Sequence, residues 1–105
     1  MRMLLTATMD VEVANAAVKD GTLGTKVQSI LADMKPEAAY FAAKDGQRTA
    51  FVVFDMTDSS QLPAIAEPWF LAFNASISVE PTMTPADLAA AGPGFANAIS
   101  KYGKG

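Results

Sequence analysis

Two carboxylates have surroundings in the sequence that suit them for chemistry, Glu67 and Glu80. Glu67 stands directly before Pro68 inside "QLPAIAEPWFLAF", beside the irregularity that a proline introduces into a helix. Glu80 closes the alternating stretch "ASISVE" and shares a face there with Ser76 and Ser78. Either would act as a general base if burial raised its pKa. A buried carboxylate needs a partner, and Arg48, Arg2 and Lys44 are the available cations for Glu80. Trp69, Phe73 and Phe54 add aromatic surface, and Tyr40 adds a phenol that requires a hydrogen-bond partner once buried. An apolar pocket with a few polar groups is the usual make-up of a small-ligand site.

Each of these residues also has a plainer reading. Trp69, Phe70 and Phe73 recur at helical spacing, which makes them core residues first and site residues only if Pro68 opens a pocket. Glu67 reads equally as a solvated side chain, and Glu80 with Arg48 as an interface ion pair. Asn74 reads as a helix stop, because asparagine tolerates left-handed dihedrals.

The composition removes many chemistries. The 105 residues contain no cysteine and no histidine. Disulfides, thiol nucleophiles, Ser-His-Asp triads and histidine-held metal or haem are therefore excluded on this chain. Eleven carboxylates are present without metal-loop spacing, and "KDGTLGT" lacks the spacings of phosphate-binding loops. The six methionines read as core filling. No cofactor is expected. The net charge is −3 and the eight basic residues are scattered, which argues against nucleic acid. The opening "MRMLLTATMD" is too short in its apolar run and too polar for a signal peptide, and no stretch approaches a membrane span. A cytoplasmic location is the default expectation.

The elements that must position these residues follow from periodicity. Met3 to Met9 alternates as a strand, and Asp10 caps a helix from Val11 to Lys19 with Val11, Ala14 and Val18 on one side. A break at Gly21 and Gly24 precedes a cleaner stripe of Leu23, Val27, Ile30, Leu31 and Met34, which Pro36 ends. Asp45-Gly46 turns a hairpin whose second arm, Thr49 to Met56, is apolar on both faces. Asp58, Ser59 and Ser60 are alternative caps for a second helix, with Pro63 in its first turn and Pro68 at a kink or junction. The strand around Ile77 and Val79 has Pro81 near its end, which suggests an edge. Thr84, Pro85 and Asp87 start a helix that Gly92-Pro93-Gly94 breaks as a turn. Phe95, Ala98, Ile99 and Tyr102 form a last amphipathic piece, and the end from Lys101 onward is expected to fray.

The order is βαββαβ with a helical tail, an α+β ferredoxin-like arrangement with a four-stranded antiparallel sheet and helices on one face. A single domain is expected over residues 1–105, with its core at about 1–83 and an extension at 84–105. This order, the length and the broken first helix resemble the dimeric α/β-barrel superfamily. "DGTLGTKVQSIL", "KPEAAYF" and "AEPWFLAFNASISVEPTMTPADL" look like segments of small bacterial members with no assigned reaction. The resemblance implies two sheets packed face to face, and activities that range from cofactor-free monooxygenase and isomerase to plain binding. It withdraws the haem-degrading and His–Asp chemistries of other members, since this chain has no histidine.

A homodimer also follows from the two-faced strand. One of its apolar faces must stay uncovered by the helices, and a second copy or the C-terminal tail would have to cover it. Two functions follow as expectations. The first is a homodimer that binds, and without cofactor transforms, a small apolar or aromatic molecule. The second is a non-enzymatic dimerisation module with no pocket.

Overall fold

The computed structural model of the chain describes residues 1–104. Four antiparallel strands, β1 (Arg2–Thr8), β2 (Ala38–Lys44), β3 (Gln47–Asp55) and β4 (Ser76–Pro81), form one sheet in the order β2-β3-β1-β4. The helices are α1 (Val11–Lys19), α2 (Leu23–Met34), α3 (Leu62–Phe73), α4 (Pro85–Ala90) and α5 (Gly92–Tyr102). This is the ferredoxin-like α+β arrangement, with β1 and β3 central and β2 and β4 at the edges. The opening segment forms the central strand β1.

Local chemistry places the boundaries. Asp10 accepts the Val13 N–H and starts α1. Lys35 ends α2 in the left-handed conformation, φ 49°, so Pro36 drives its neighbour out of the helix without sending it to the extended region. Asp45 and Gly46 both have positive φ, the geometry that lets a two-residue turn follow the twist of β2 and β3. Asp58 and Gln61 cap each other's backbone over a single 3₁₀ turn before α3. Asn74 closes α3 in the left-handed conformation, φ 47°. Thr84 and Asp87 cap α4 reciprocally.

Register divides the sheet into a covered and an open face. Met3, Leu5 and Ala7 pair with Phe54, Val52 and Ala50, and all six are buried under the helices. Trp69 and Phe73 of α3 meet them, with Ala14 and Ala17 of α1 and Ile30 of α2. The expected α1 stripe is corrected here. Ala14 and Ala17 form it, while Val11 and Val18 are exposed, because the helix is rotated so that its Ala14–Ala17 side faces the core.

On the open face, three rows cross the sheet. They are Ala38–Val53–Leu4–Glu80, Tyr40–Phe51–Thr6–Ser78 and Ala42–Thr49–Thr8–Ser76. No helix lies over these rows. The half next to β2 is apolar apart from Thr49 and the Tyr40 phenol, and the half next to β4 carries Thr6, Thr8, Ser76, Ser78 and Glu80. The C-terminal tail does not cover them either: every residue of α5 is exposed.

Pro68 lies inside a continuous α3, so the helix neither stops nor restarts there. Its missing N–H leaves the Ala64 carbonyl without its helical donor, and Ala64 is solvent-exposed, where water can take that role. Gly92, Pro93 and Gly94 are the first turn of α5 rather than a turn outside it. Proline is tolerated there because first-turn N–H groups have no helical acceptor. Lys101 is likewise helical. Gly105, expected to fray, lies outside the described residues.

The molecule is elongated, 58 × 29 × 22 Å, with a radius of gyration of 17.5 Å. A compact chain of this length has about 13 Å. The excess comes from α4 and α5, which stand off the body as an arm whose one substantial mutual contact is with each other. Arg2 holds the arm's root. Its Nε donates to Glu37 at 2.9 Å and its Nη1 lies 3.7 Å from Asp87 of α4. Arg2 is on the open-face side of β1, so the arm leaves from that side.

Trp69→Ala is expected to destabilise the fold by about 3–5 kcal/mol, measured by denaturant unfolding followed by circular dichroism. The capping carboxylates give a pH prediction. Hydrogen bonds from the Thr22 side chain and N–H hold Asp20 below its ordinary value of 3.8, the Ser60 N–H does so for Asp58, and the Thr84 N–H for Asp87. A lowered folded pKa gives stability that is complete above the ordinary value and is lost as pH falls through the folded one. Amide shifts of Thr22, Ser60 and Thr84, followed from about pH 5 to pH 2, should therefore titrate with midpoints below the ordinary aspartate value. Midpoints at or above it would refute the caps.

Candidate functional site

β2 runs beyond the helices at the sheet edge, which leaves a groove between α2 and β2 on the covered side. The groove has a volume of about 540 Å³. Leu23, Val27 and Leu31 of α2 form one wall because they recur on one helix face. Phe41 and Ala43 form the other, since they share the face of β2 that pairs with Ala50 and Arg48 of β3. Met9 closes the end where β1 stops.

The polar groups of this groove are few. Arg48 and the buried Thr49 lie at the hairpin end and Gln28 on α2. Arg48 Nη1 donates to Asn15 Oδ1 of α1 at 2.8 Å. That bond fixes one edge of the guanidinium, and the remaining N–H groups stay free to donate. Gln47, beside it, donates to the Met9 carbonyl at 3.2 Å and ties the hairpin to the end of β1. The lining holds no carboxylate. It is an apolar slot with a single cation at one end.

A second groove of about 390 Å³ lies between α3 and the edge strand β4. Leu62, Pro63, Ala66 and Phe70 of α3 face Ile77 and Val79 of β4 there, and Glu67 is its one charged residue. Glu67 is exposed and makes no hydrogen bond or ion pair among the described residues. A third recess, about 420 Å³, opens between α2 and α3 and is bordered by Phe54, Asp33 and Asp55.

The residues singled out from the sequence are thereby dispersed. Trp69 and Phe73 are wholly buried, their ring centroids 6.1 Å apart, and neither borders any of the three cavities. The Trp69 indole N–H finds no acceptor among the described residues. Phe54 is a core residue that reaches only the third recess. Tyr40 is 68% exposed on the open face beside Phe51. Glu80 is exposed on the same face and accepts from the Ser78 hydroxyl at 2.9 Å.

Arg48 is not Glu80's partner. The two occupy opposite faces, because Arg48 pairs with Ala43 on the covered side and Glu80 pairs with Leu4 on the open side. Arg2 is engaged by Glu37 and Asp87 instead.

Sequence reasoning missed the α2–β2 groove as a site. Its wall residues were legible as a helical stripe, but a stripe does not say whether a strand covers it. The signal was the exposed length of "AAYFAAK", an alternation with Phe41 on the helix side and nothing opposite it.

Among the described residues, no group of three or more acidic side chains could hold a metal ion, and no helix is long and apolar enough to cross a membrane. No family model matches the chain, and no curated protein matches it. Among solved structures it is similar to a formyltetrahydrofolate deformylase from Pseudomonas putida KT2440, with 14% identity and a TM-score of 0.48 over 78% of this chain. The chain corresponds to 29% of the deformylase's length. It is also similar to the de novo designed protein Ferredog-Diesel, with 10% identity and a TM-score of 0.46, covering 77% of this chain and 85% of that one. At identities this low neither speaks to activity, and the fold assignment rests on strand order and register.

The Asn15–Arg48 bond yields a check on the groove. Asn15→Ala should leave the fold intact and cost about 1 kcal/mol or less, since the bond is solvent-exposed. It should release the guanidinium, seen as faster side-chain motion of Arg48 in ¹⁵N relaxation. An unchanged Arg48 signal would show that the bond does not fix it.

Proposed function

We propose that the chain is a homodimeric binding protein whose α2–β2 groove takes a small apolar or aromatic molecule carrying an anionic or strongly polar oxygen. The observation that carries this reading is the groove itself, about 540 Å³ and apolar except for Arg48, Gln28 and Thr49. Sites for small ligands fall in this range of volume and have this balance of surface. Arg48 suits a carboxylate, sulfonate or enolate oxygen, because its free N–H groups form charge-assisted bonds. Neither Glu67 nor Glu80 borders the groove, so the proposal is recognition rather than proton abstraction by those carboxylates.

The homodimer is proposed from the open face. Phe51, Val53 and Leu4 are half-buried there, with Tyr40 exposed beside them, and neither the helices nor the tail covers them. Packing this face on a second copy about a two-fold axis would bury the patch, as the resemblance to dimeric α/β barrels also implies.

Light scattering should give about twice the 11.0 kDa chain mass. Phe51→Lys should lower it to the single-chain mass while the far-ultraviolet circular dichroism is retained. For the groove, the probe is 8-anilinonaphthalene-1-sulfonate, an aromatic anion. Val27→Trp, which fills the groove, should abolish its binding, and Arg48→Met should weaken it about tenfold, the loss of one charge-assisted hydrogen bond. Binding that is indifferent to Val27→Trp would refute the groove as the site. A dimer with no groove-dependent binding would favour the plain dimerisation module.

A further inference from the structure

The arm formed by α4 and α5 is the part of the molecule that the fold does not use. In α5, Phe95, Ile99 and Tyr102 lie on one stripe, at the i, i+4, i+7 spacing by which an amphipathic helix enters an apolar groove. Their exposures are 57%, 66% and 83%. Charge is divided along the chain in the same way. All eleven acidic residues precede Leu88, whereas Lys101 and Lys104 are the only charged residues after it. The arm's end is thus positive and the body negative.

Two recesses of the body carry carboxylates, the α3–β4 groove with Glu67 and the α2–α3 recess with Asp33 and Asp55, and the first lies at the edge strand that leads into the arm. Between α3 and β4, apolar residues including Leu62, Phe70 and Val79 surround the unpaired Glu67. The α2–β2 groove does not match, since its charge is Arg48, which repels lysines. The arm cannot satisfy its own body's groove in the arrangement seen, because α5 stands clear of the body and a single residue, Ala91, separates it from the anchored α4.

We infer that α5 clasps a second copy of this chain, with its Phe95–Ile99–Tyr102 stripe in that copy's α3–β4 groove and its lysines against that copy's Glu67. The inference rests on the homodimer proposed above. The arm leaves from the open-face side, where the second copy would lie, and β4 is an edge strand, so only that edge separates the arm from the groove. The eleven residues of α5 span about 16 Å, longer than the roughly 10 Å between packed layers. Each arm would serve the other copy, and the two-fold axis would make both contacts identical.

The chain has no cysteine, so engineered pairs report without background. A Glu67→Cys chain carrying a large tag is mixed with an untagged Lys101→Cys chain and oxidised. The expected result is a covalent dimer of mixed size. A dimeric protein that gives no mixed product overturns the inference and leaves the homodimer standing. A crosslink at single-chain mass in the Glu67→Cys/Lys101→Cys double variant also overturns it, because the arm would then fold back on its own body. A single-chain mass for the unaltered protein in light scattering removes the homodimer and the clasp together. Phe95→Asp is a second variant. It changes an exposed residue outside the core, so the circular dichroism should be unchanged while dimer dissociation becomes at least about tenfold more favourable. An unchanged dissociation constant overturns the clasp.

Discussion

β3 is apolar on both faces, and the chain supplies helices for only one of them. Val52 and Phe54 point into the core, where they are almost wholly buried, while Phe51 and Val53 point the other way. A strand apolar on both sides is stable only where both sides are covered. Burial of the first side orders the rest of the body. Met3, Leu5 and Ala7 must stand opposite Phe54, Val52 and Ala50, which fixes the β1 register, and a slip of one residue would turn the whole set outward. That register in turn puts Ile77 and Val79 of β4 under α3 and Phe41 of β2 beside α2. The two grooves at the sheet edges follow from a helix layer narrower than the sheet.

α3 shows how such a constraint tolerates local cost. Pro68 removes a helical hydrogen bond, and the buried Trp69 indole N–H has no acceptor among the described residues. An unpaired buried donor costs on the order of 1–3 kcal/mol. What offsets it is area. Trp69 is the largest fully buried side chain and Phe73, with Phe54, comes next, and full burial of an aromatic side chain is worth about 1.5–3 kcal/mol. Proline is tolerated because the carbonyl it deprives belongs to the exposed Ala64, on the solvent side of the helix. Had the orphaned carbonyl faced the sheet, no water could have served it.

Much of this fold is legible in the residues. Asp45-Gly46, Asn74, Asp10 and the Thr84–Asp87 pair each have a backbone reason that acts locally, and each sits where that reason places it. The alternation in β1 and β3 specifies two faces from the sequence alone. What is not legible depends on distances between elements. In α1, the stripe expected through Val11, Ala14 and Val18 and the buried one through Ala14 and Ala17 differ by a rotation of the helix about its axis, which only its packing on the sheet fixes. Arg48 adjoins a turn, where a strand's phase is undefined, so its face could be known only from its pairing with Ala43. The same limit governs the site. Glu80 and Glu67 stand out in the sequence because they are charges among apolar or hydroxyl residues, yet prominence in a sequence does not bring groups together. The groove at α2 and β2 is made by residues with no chemical prominence and is bounded by how far β2 extends beyond its cover.

The single charges of the two edge grooves have opposite signs, and strand phase decides which is which. Arg48 points to the helix side because it is in phase with Ala50, Val52 and Phe54, so the β2 edge acquires a cation. Glu80 is in phase with Ser76 and Ser78 and points away, so the β4 strand leaves its own carboxylate on the open face. The groove at that edge takes its charge from α3 instead, through Glu67. An apolar slot with a lone charge selects occupants by sign, since a like charge held there would lose water without gaining a partner. Under the proposed function the cationic slot would therefore disfavour the lysine-bearing arm and favour an anion, and the anionic one the reverse. One sheet narrower in its helix cover than in its strands thus presents two apolar edge grooves whose charges are of opposite sign.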